Sequence, residues 1–348
     1  MNKELMDALN VLEKEKNISK DTLLGAIEQS LIQACKNHFG KADNVHVMIN
    51  PETCDFSVYA EREVKEFVED PALEISLTDA QKINANAELG DVIKVQIQSK
   101  EFGRIATQNA KNVILQKIRE EERKVLYDQY YGMEKEVVTG IVQRVMGKNV
   151  SINLGKADAI LAENEQVRGE EFHPTEHIKV YILEVKDTPK GPRIQVSRTH
   201  PGLVKRLFES EVAEVRDGTV EIKSIAREAG SRTKIAVWSN DPDVDPVGAC
   251  VGMNGARVNS IVEELRGEKI DIINWDENPA ILIENALSPA KVIAVMADPD
   301  EKTALVVVPD YQLSLAIGKE GQNARLAARL TGFKIDIKSE TQAKESGD

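Results

Sequence analysis

Two short glycine-bounded segments mark this chain, Gly252-Met253-Asn254-Gly255 and Gly318-Lys319-Glu320-Gly321. Each follows an aliphatic residue and precedes a helical pattern that runs into Ile-Asp-Ile. Glycines at both ends of such a turn carry no side chain, so a nucleic-acid backbone can approach the peptide closely. The free N–H groups at the start of the following helix favour phosphate. The sequence therefore indicates contact with nucleic acid at two equivalent places.

The pattern around these segments is repeated over a whole unit. In both places the order is helix, strand, strand, helix, Gly-x-x-Gly loop, helix, strand. The first copy is predicted to have these elements at residues 203–215, 220–224, 233–238, 247–251, 258–265 and 270–273. The second is predicted to have them at residues 280–287, 292–296, 303–308, 313–317, 324–330 and 335–337. A single Gly-x-x-Gly is more often an ordinary turn. Two in matching frames indicate duplicated KH domains, whose loop clamps about four nucleotides.

The residues before the repeats predict a small β-barrel. Short apolar strands are expected at residues 137–142, 150–154, 159–161, 178–183 and 194–196, separated by Gly, Pro and Asn turns. This spacing favours an OB-type barrel, with Gly140 available for a sharp bend in its first strand. Pro201 then begins a helix almost at once, so the barrel and the first repeat are expected to form a rigid tandem.

The start of the chain predicts a separate α+β domain. Amphipathic helices are expected over residues 3–17 and 19–40, strands at 45–49, 56–59 and 92–97, and a long helix over 105–127. The whole chain is therefore predicted to be a multidomain α+β protein. Its parts are expected to be the N-terminal domain 1–131, the barrel 132–199, the first KH domain 200–277, the second KH domain 278–342 and a polar tail 343–348.

Charge and aromatic content narrow the kind of nucleic-acid contact. The formal net charge of -13 argues against nucleic acid when only the sum is considered, because phosphate binding usually leaves a basic footprint. Residues 186–234, however, hold eleven Lys and Arg against seven Asp and Glu, so a local basic face is predicted. Aromatic residues make up only 4% of the chain, too few for a sheet that stacks successive bases. Bases are expected to lie on aliphatic grooves beside Val251, Ile261 and Ile317.

No pattern in the sequence indicates catalysis, a metal or a cofactor. His173 and His177 are four residues apart, but Pro174 interrupts a helix between them and no third ligand is evident. Nucleophile motifs are absent, and three widely spread cysteines favour buried thiols over a disulfide or metal framework. The chain has neither an apolar run long enough to span a membrane nor a secretory leader, so a cytoplasmic, non-enzymatic protein is expected.

Four stretches of the repeats resemble the NusA family of bacterial transcription factors: residues 227–237, 245–252, 267–272 and 315–327. The resemblance implies an N-terminal RNA polymerase-binding domain, a barrel of the ribosomal-protein S-one type and two KH domains of the prokaryotic type II topology. It implies a monomeric RNA-binding factor beside the flap of the polymerase β subunit, where RNA exits. Such a factor modulates elongation, hairpin-dependent pausing, intrinsic termination and, with other Nus factors, antitermination.

The resemblance and the chemistry of the residues together give an expected RNA-binding site. Backbone N–H groups of residues 252–255 and 318–321 are expected to meet phosphates, with charge or polar contacts from Arg257, Lys319, Gln322, Asn323 and Arg325. Four further cations are expected to extend the track across the junction of the barrel and the first KH domain: Arg198, Arg227, Arg232 and Lys234. In the N-terminal domain, Lys36, Lys41, Arg104 and Lys111 are expected to face exiting RNA. For both groups the alternative is a solvated surface.

Two other functions remain open from the sequence. RNA-processing enzymes of the polynucleotide phosphorylase type also combine KH and S-one modules, but residues 1–130 are too short for their catalytic core. A ribosome-associated KH/OB RNA-binding protein is the other alternative. The two loops are poorly charged, because Met253-Asn254 carries no cation and Glu320 stands beside Lys319. One KH domain alone is therefore expected to bind RNA weakly.

Overall fold

The computed structural model describes residues 7, 9–10, 13–14, 19–39, 44–50, 56–97 and 100–346. Contacts divide the chain into two compact units, Met1–Val125 and Leu126–Asp348. The helix predicted over residues 3–17 falls largely outside the described residues. None of the helices described is long and apolar enough to cross a membrane.

The N-terminal unit is an α+β domain, as predicted. Its elements are α1 (Lys20–Phe39), β1 (Val45–Ile49), β2 (Phe56–Lys65), β3 (Glu74–Ser76), α2 (Leu77–Ile83), β4 (Val92–Gln96) and the first part of α3 (Lys100–Tyr131). Strand β2 pairs antiparallel with β1 and β4 and parallel with β3. Apolar side chains of α1, including Leu23 and Ile27, pack in one core with Val47, Val58 and Ala110.

The sequence did not predict β3, α2 or the second half of β2. Residues 61–65 look like charged surface, yet they continue β2 because Val64 is buried and Lys65 forms an ion pair with Glu74 at 2.9 Å across the sheet. Helix α2 has only seven residues. It begins where the Ser76 hydroxyl accepts a hydrogen bond from the Asp79 N–H at 3.2 Å, which is an N-cap.

The second unit begins with the predicted five-stranded barrel. It consists of β5 (Val137–Met146), β6 (Asn149–Asn153), β7 (Asp158–Leu161), β8 (His177–Lys186) and β9 (Arg193–Ser197), closed in the order β5-β6-β7-β9-β8. Gly140 is required in β5, because an added Cβ would lie 2.3 Å from Cγ2 of Ile152. Tyr130 is buried against the barrel, and its hydroxyl donates to the carbonyl of Leu154 at 3.0 Å.

Two copies of one α/β unit follow. The first contains α4 (Pro201–Glu211), α5 (Ala213–Arg216), β10 (Val220–Glu228), β11 (Arg232–Ser239), α6 (Pro246–Val251), α7 (Ala256–Glu264) and β12 (Lys269–Asn274). The second contains α8 (Pro279–Ala286), β13 (Ala294–Asp298), β14 (Thr303–Val308), α9 (Leu313–Ile317), α10 (Gln322–Thr331) and β15 (Lys334–Ser339). In each sheet the middle strand is antiparallel to the first strand and parallel to the last. The element order predicted from the sequence is confirmed in both copies.

Residues 343–346, which were predicted to belong to a polar tail, are helical. Helix α11 (Glu340–Ser346) follows β15 directly, and Ala343 on it is buried. The Thr341 hydroxyl donates to the Asp310 carboxylate at 2.8 Å and fixes the start of the helix. The sequence did not predict this helix, because its residues are mostly polar and one buried alanine gives no helical periodicity of apolar residues. The domain boundaries at residues 131, 199, 277 and 342 stay predictions.

In the second unit, one apolar core is shared by the barrel and the first KH copy, and another is shared by the two KH copies. Tyr181 of the barrel lies in the core of the first KH copy and stacks on His200, with ring centroids 4.7 Å apart. Ala226, Ala236 and Ile273 of the first copy lie in the same apolar core as the second copy. Shared cores resist relative motion because separating the parts would expose apolar surface. The barrel and the two KH copies therefore form a tandem held by packing as well as by the chain.

Candidate nucleic-acid interface

The two Gly-x-x-Gly loops have the same backbone shape. Gly252 has φ 74° and ψ 174°, and Gly318 has φ 77° and ψ 171°. This region of backbone conformation is essentially restricted to glycine. The third residues, Asn254 and Glu320, both adopt the left-handed conformation, with φ of 52° and 57°. The duplication predicted from the sequence thus extends to the individual dihedral angles of the loops.

The glycine amides of both loops are used inside the protein. The N–H groups of Gly252 and Gly318 each donate at 2.9 Å to the helix that ends there. The N–H groups of Gly255 and Gly321 each donate at 3.1 Å to the carbonyl of the first glycine of the same loop. This corrects the expectation that every amide of residues 252–255 and 318–321 meets phosphate. The candidates narrow to the amides of the two central residues in each loop.

The central residues of both loops are exposed. Met253 is 86% exposed, and Asn254, Lys319 and Glu320 are exposed as well. Within the described part of the chain, the Lys319 ammonium makes no hydrogen bond or ion pair. The second loop therefore offers one free cation beside one carboxylate, and the first loop offers a flexible apolar side chain.

Arg257 supports the first loop from behind. It lies five residues after Gly252, and a Cβ added to Gly252 would lie 2.8 Å from its Cγ. Its guanidinium donates to the carbonyl of Ala249 at 2.6 Å and to the carboxylate of Glu214 at 3.0 Å. The Arg257 guanidinium is thus already paired with a carboxylate of its own domain. This corrects the expectation that Arg257 contacts phosphate.

Asn323 occupies the equivalent position in the second copy, five residues after Gly318. It is 4% exposed, and its amide donates to the carbonyls of Leu287 and Ala316, both at 3.0 Å. A Cβ added to Gly318 would lie 2.8 Å from the backbone nitrogen of Asn323. The residue therefore packs the loop against its own domain and does not present its side chain to a ligand.

Gln322 and Arg325 reach the first KH copy. The Gln322 amide donates to the Glu228 carboxylate at 2.8 Å and to the Ser231 hydroxyl at 2.7 Å. The Arg325 guanidinium donates to both carboxylate oxygens of Glu228, at 2.7 and 3.2 Å. Arg325 is nevertheless 45% exposed along its side chain. The structure therefore places both residues at the contact between the two KH copies, beside the second loop.

Arg198 lies in the interior and not on a basic surface, which corrects its expected placement. Its side chain is 1% exposed and forms an ion pair with Glu170, whose side chain is 5% exposed. The guanidinium also donates to the carbonyls of Lys179 at 2.8 Å and Glu264 at 3.1 Å. Arg198 therefore ties the barrel to the end of α7 in the first KH copy. Its charge is not available to phosphate.

Arg227 is buried in the same way. It forms a two-pronged ion pair with Glu268, with hydrogen bonds of 2.8 and 2.9 Å, and both side chains are at most 1% exposed. Glu268 also accepts hydrogen bonds from the Thr233 hydroxyl and the Gly230 N–H. Burial alone would raise the pKa of Glu268, but these hydrogen bonds and the Arg227 charge hold its pKa below the ordinary value.

Arg232 and Lys234 are both paired with Asp271 on the neighbouring strand. Arg232 donates to both Asp271 oxygens, at 2.6 and 2.9 Å, and is 26% exposed. Lys234 is fully buried, lies 3.1 Å from Asp271 and donates at 2.8 Å to the carbonyl of Ser288. Burial lowers the pKa of Lys234 below its ordinary value. Of the four predicted track residues, only Arg232 keeps part of its surface in solvent.

A cleft separates the first KH copy from the loop of the second. It has a volume of about 390 Å³. Arg232 and Lys269 line it on one side, and Gly318, Lys319 and Gln322 line it on the other. Lys269 and Lys319 are exposed. Sequence reasoning missed Lys269, although it stands in the string Gly267-Glu-Lys-Ile-Asp-Ile that carries the family resemblance.

Comparison with known proteins decides the family. Three protein-family models match the chain. They are described as the NusA N-terminal domain, at residues 4–124, the NusA-like first KH domain, at residues 198–275, and the NusA-like second KH domain, at residues 279–345. The transcription termination/antitermination protein NusA of Bacillus subtilis is 56% identical over 347 residues, covering 100% of this chain and 94% of that one. The protein of the same name from Thermus thermophilus is 41% identical over 346 residues, covering 96% of this chain and 89% of that one.

The chain belongs to the NusA family. Both relatives extend across the barrel as well as the matched domains, because nearly the whole chain is aligned. The predicted family and fold class are therefore confirmed.

Of the cations predicted in the N-terminal domain of this NusA-family chain, only Lys111 can be placed. It lies on α3, and its side chain is exposed. Lys41 and the side chains of Lys36 and Arg104 lie outside the described residues. Contact of these four residues with exiting RNA stays a prediction.

The described residues of the NusA-family chain assemble no metal ligands, and the one thiol among them whose side chain is described, Cys250, is not activated. No group of three or more His, Cys, Asp or Glu side chains in them could hold a metal ion. Cys250 is fully buried in the first KH core, and burial raises its pKa to about 12. A thiol in that state is almost entirely protonated at neutral pH, so it packs as a small apolar side chain.

Proposed function

We propose that this NusA-family protein acts in transcription elongation, termination and antitermination by holding nascent RNA on its barrel and KH array. In this proposal the N-terminal domain binds RNA polymerase at the flap of the β subunit. The array then retains RNA as it emerges and alters hairpin-dependent pausing and intrinsic termination, in some contexts together with other Nus factors. No chemical step is required of the protein.

The observation that carries the proposal is that the two Gly-x-x-Gly loops have the same backbone conformation and lie on KH copies that are packed together. The cleft between the copies leads from Arg232 and Lys269 to Lys319 of the second loop. A single strand of RNA can be bound there through phosphates at the loop amides and the three cations, while bases lie on aliphatic surface. Because each loop carries little charge, we expect the two to be effective only when joined.

Joining the two loops in one array compensates for the low RNA affinity expected of each loop alone. Linking two weak sites makes the second contact intramolecular, so the overall affinity exceeds that of either site. Binding to polymerase adds the same advantage, since it holds the array close to the RNA exit. We therefore propose that the protein retains RNA strongly on the transcription complex and only weakly when free.

Three double substitutions with the same change in net charge test the RNA interface. Met253→Asp with Asn254→Asp alters the first loop, and Lys319→Asp with Glu320→Asp alters the second. Lys344→Asp with Glu345→Asp alters an exposed Lys-Glu pair on α11. We expect each loop variant to bind single-stranded RNA at least tenfold more weakly in filter binding, and the α11 variant to change affinity less than twofold.

Polymerase binding should be unchanged in all three variants, because the altered residues lie outside residues 1–131. Equal losses of RNA affinity in the loop variants and the α11 variant would show that only net charge matters. Transcription in vitro on a template with a hairpin pause gives the functional readout, with labelled RNA remaining full length in the presence of the protein. An unchanged pause lifetime on adding the wild-type protein would contradict the proposed function.

A further inference from the structure

One carboxylate of the first KH copy receives three side chains from the second. Glu228 ends β10, and its oxygens accept hydrogen bonds from Arg325 at 2.7 and 3.2 Å and from Gln322 at 2.8 Å. The guanidinium of Arg329 lies 3.7 Å away. All three partners stand on α10, the helix that begins directly after the second Gly-x-x-Gly loop. The hydrogen bond from Arg325 is the main reason that the pKa of Glu228 is below its ordinary value.

Arg325 also reaches into the loop itself. While two of its guanidinium nitrogens hold Glu228, the third donates to the carbonyl of Glu320 at 2.9 Å. The guanidinium is planar and rigid, so fixing two nitrogens on Glu228 fixes the direction of the third. A side chain of one KH copy thus determines where a hydrogen-bond donor stands in the loop of the other.

The peptide that Arg325 contacts is held from both ends. Its carbonyl, on Glu320, accepts from Arg325, and its N–H, on Gly321, donates to the carbonyl of Gly318 at 3.1 Å. Glu320 adopts the left-handed conformation with φ 57°, which is unfavourable for a residue with a side chain. Hydrogen bonds at both ends of the peptide offset this cost and keep the loop in one shape.

The first copy lacks this arrangement. Asn259 stands four residues after Gly255, where Arg325 stands four residues after Gly321. The short Asn259 side chain lies beside Gly255, with its nitrogen 3.1 Å from where a Cβ would be. Any effect that passes through Glu228 should therefore reach the second loop only.

We propose that Glu228 is a positioning residue for RNA binding by the second Gly-x-x-Gly loop, acting through Arg325 on the peptide between Glu320 and Gly321. The inference rests on the proposed RNA-binding function and deepens it. Packing of the first KH copy against α10 prepares the loop of the second copy, so the two copies bind RNA better as a pair than their separate loops would. Glu228 itself touches no RNA in this proposal.

The direction in which Glu228→Ala changes RNA affinity distinguishes a positioning role from a simple effect of charge. Glu228→Ala removes a negative charge beside a phosphate-binding surface, which by itself should tighten RNA binding. Loss of the positioning contact should weaken it. We expect Glu228→Ala to weaken binding of single-stranded RNA by about fivefold, the lower end of typical coupling between sites. Unchanged or tighter binding would overturn the proposal.

The loop variants locate the effect. In the background of the altered first loop, Met253→Asp with Asn254→Asp, Glu228→Ala should still cost about fivefold. In the background of the altered second loop, Lys319→Asp with Glu320→Asp, it should cost less than twofold. A fivefold loss in both backgrounds would show general damage to the array and would overturn the positioning role. If the second-loop variant alone binds RNA like wild type, the proposed function of that loop fails instead.

Two arginines on one helix provide a matched control. Arg325→Gln and Arg329→Gln remove the same charge, but only Arg325 bonds the loop. Arg325→Gln should weaken RNA binding as Glu228→Ala does, and Arg329→Gln should change it less than twofold. Without RNA, the NMR amide signals of Gly318 and Gly321 should shift in Glu228→Ala while those of Gly252 and Gly255 stay in place. Unmoved signals of the second loop would contradict the mechanism.

Discussion

The first and last glycines of the second loop should respond very differently to the same substitution. Gly318 has φ 77° and ψ 171°, and Gly321 has φ 73° and ψ 13°. The conformation of Gly318 is essentially open to glycine alone, whereas that of Gly321 lies near the left-handed region that other residues occasionally adopt. Surroundings add to this difference. A Cβ on Gly318 would lie 2.8 Å from the backbone nitrogen of Asn323, but a Cβ on Gly321 would meet only the end of Arg325 at 3.7 Å.

The magnitudes follow from these two terms. For Gly318→Ala the backbone conformation costs about 1–3 kcal/mol and the contact with a backbone atom, which cannot swing aside, about as much again. The sum is about 4 kcal/mol of unfolding free energy. Gly321→Ala carries only the left-handed cost of about 1–2 kcal/mol. The two substitutions, three residues apart in one loop, should therefore differ by about 2–3 kcal/mol.

Urea unfolding followed by tryptophan fluorescence can measure this difference. Trp238 and Trp275 are the two tryptophans of the chain, their rings meet edge to face at 5.6 Å, and Trp275 packs against the core of the second KH copy. The fluorescence change therefore reports on the KH pair. RNA filter binding on the same samples shows whether the loop has changed shape. Equal losses of stability for Gly318→Ala and Gly321→Ala would refute the reasoning from backbone region and close contact.

Further expectations concern buried groups of the second unit. Glu268→Ala leaves a buried arginine without its partner and should lower the unfolding free energy by about 3–5 kcal/mol, measured in urea. The pKa values of Glu268 and Asp271 are lower in the folded protein than in the unfolded chain, where they are about 4. The two carboxylates therefore stabilise the fold fully above about pH 4, and this contribution is lost as the pH falls through their folded pKa values. The thermal midpoint of unfolding should fall over the same pH range. Cys250 should resist a maleimide at pH 8 in the native protein and react after denaturation, as peptide mapping would show. Gly140→Ala should destabilise the barrel by about 1–3 kcal/mol, seen as faster hydrogen exchange of its strands.

Most of the fold follows from local pattern. The strands of the barrel and the elements of both KH copies were predicted within a few residues, because alternation of apolar residues and flanking Gly and Pro are local signals. β14, for example, covers the predicted residues 303–308. Elements without such a signal were missed. Strand β3 has three residues, and β2 continues through charged residues that depend on an ion pair with β3.

The loops of the site were predictable and the roles of most cations were not. Arg198 and Arg227 find their acidic partners 28 and 41 residues away in sequence, so the local composition of residues 186–234 looked like an open basic face. A pairing argument could have corrected part of this. Lys234 lies directly opposite Asp271 in the parallel register of β11 and β12, and a cation facing an acid across a sheet is a typical pair.

The placement of these cations explains how a protein with a net charge of -13 can carry an RNA-binding array. Arg198 holds the barrel to the first KH copy, Lys234 and Arg325 hold the first copy to the second, and Arg227 fixes the strand beside them. Positive charge is thus used to set the geometry between modules, and in the proposed function phosphate is left to a few amides and exposed lysines. Affinity in such an array depends on how well the spacing of its loops matches the RNA. A substitution at a junction can therefore weaken RNA binding as much as one in a loop, although it touches no nucleotide.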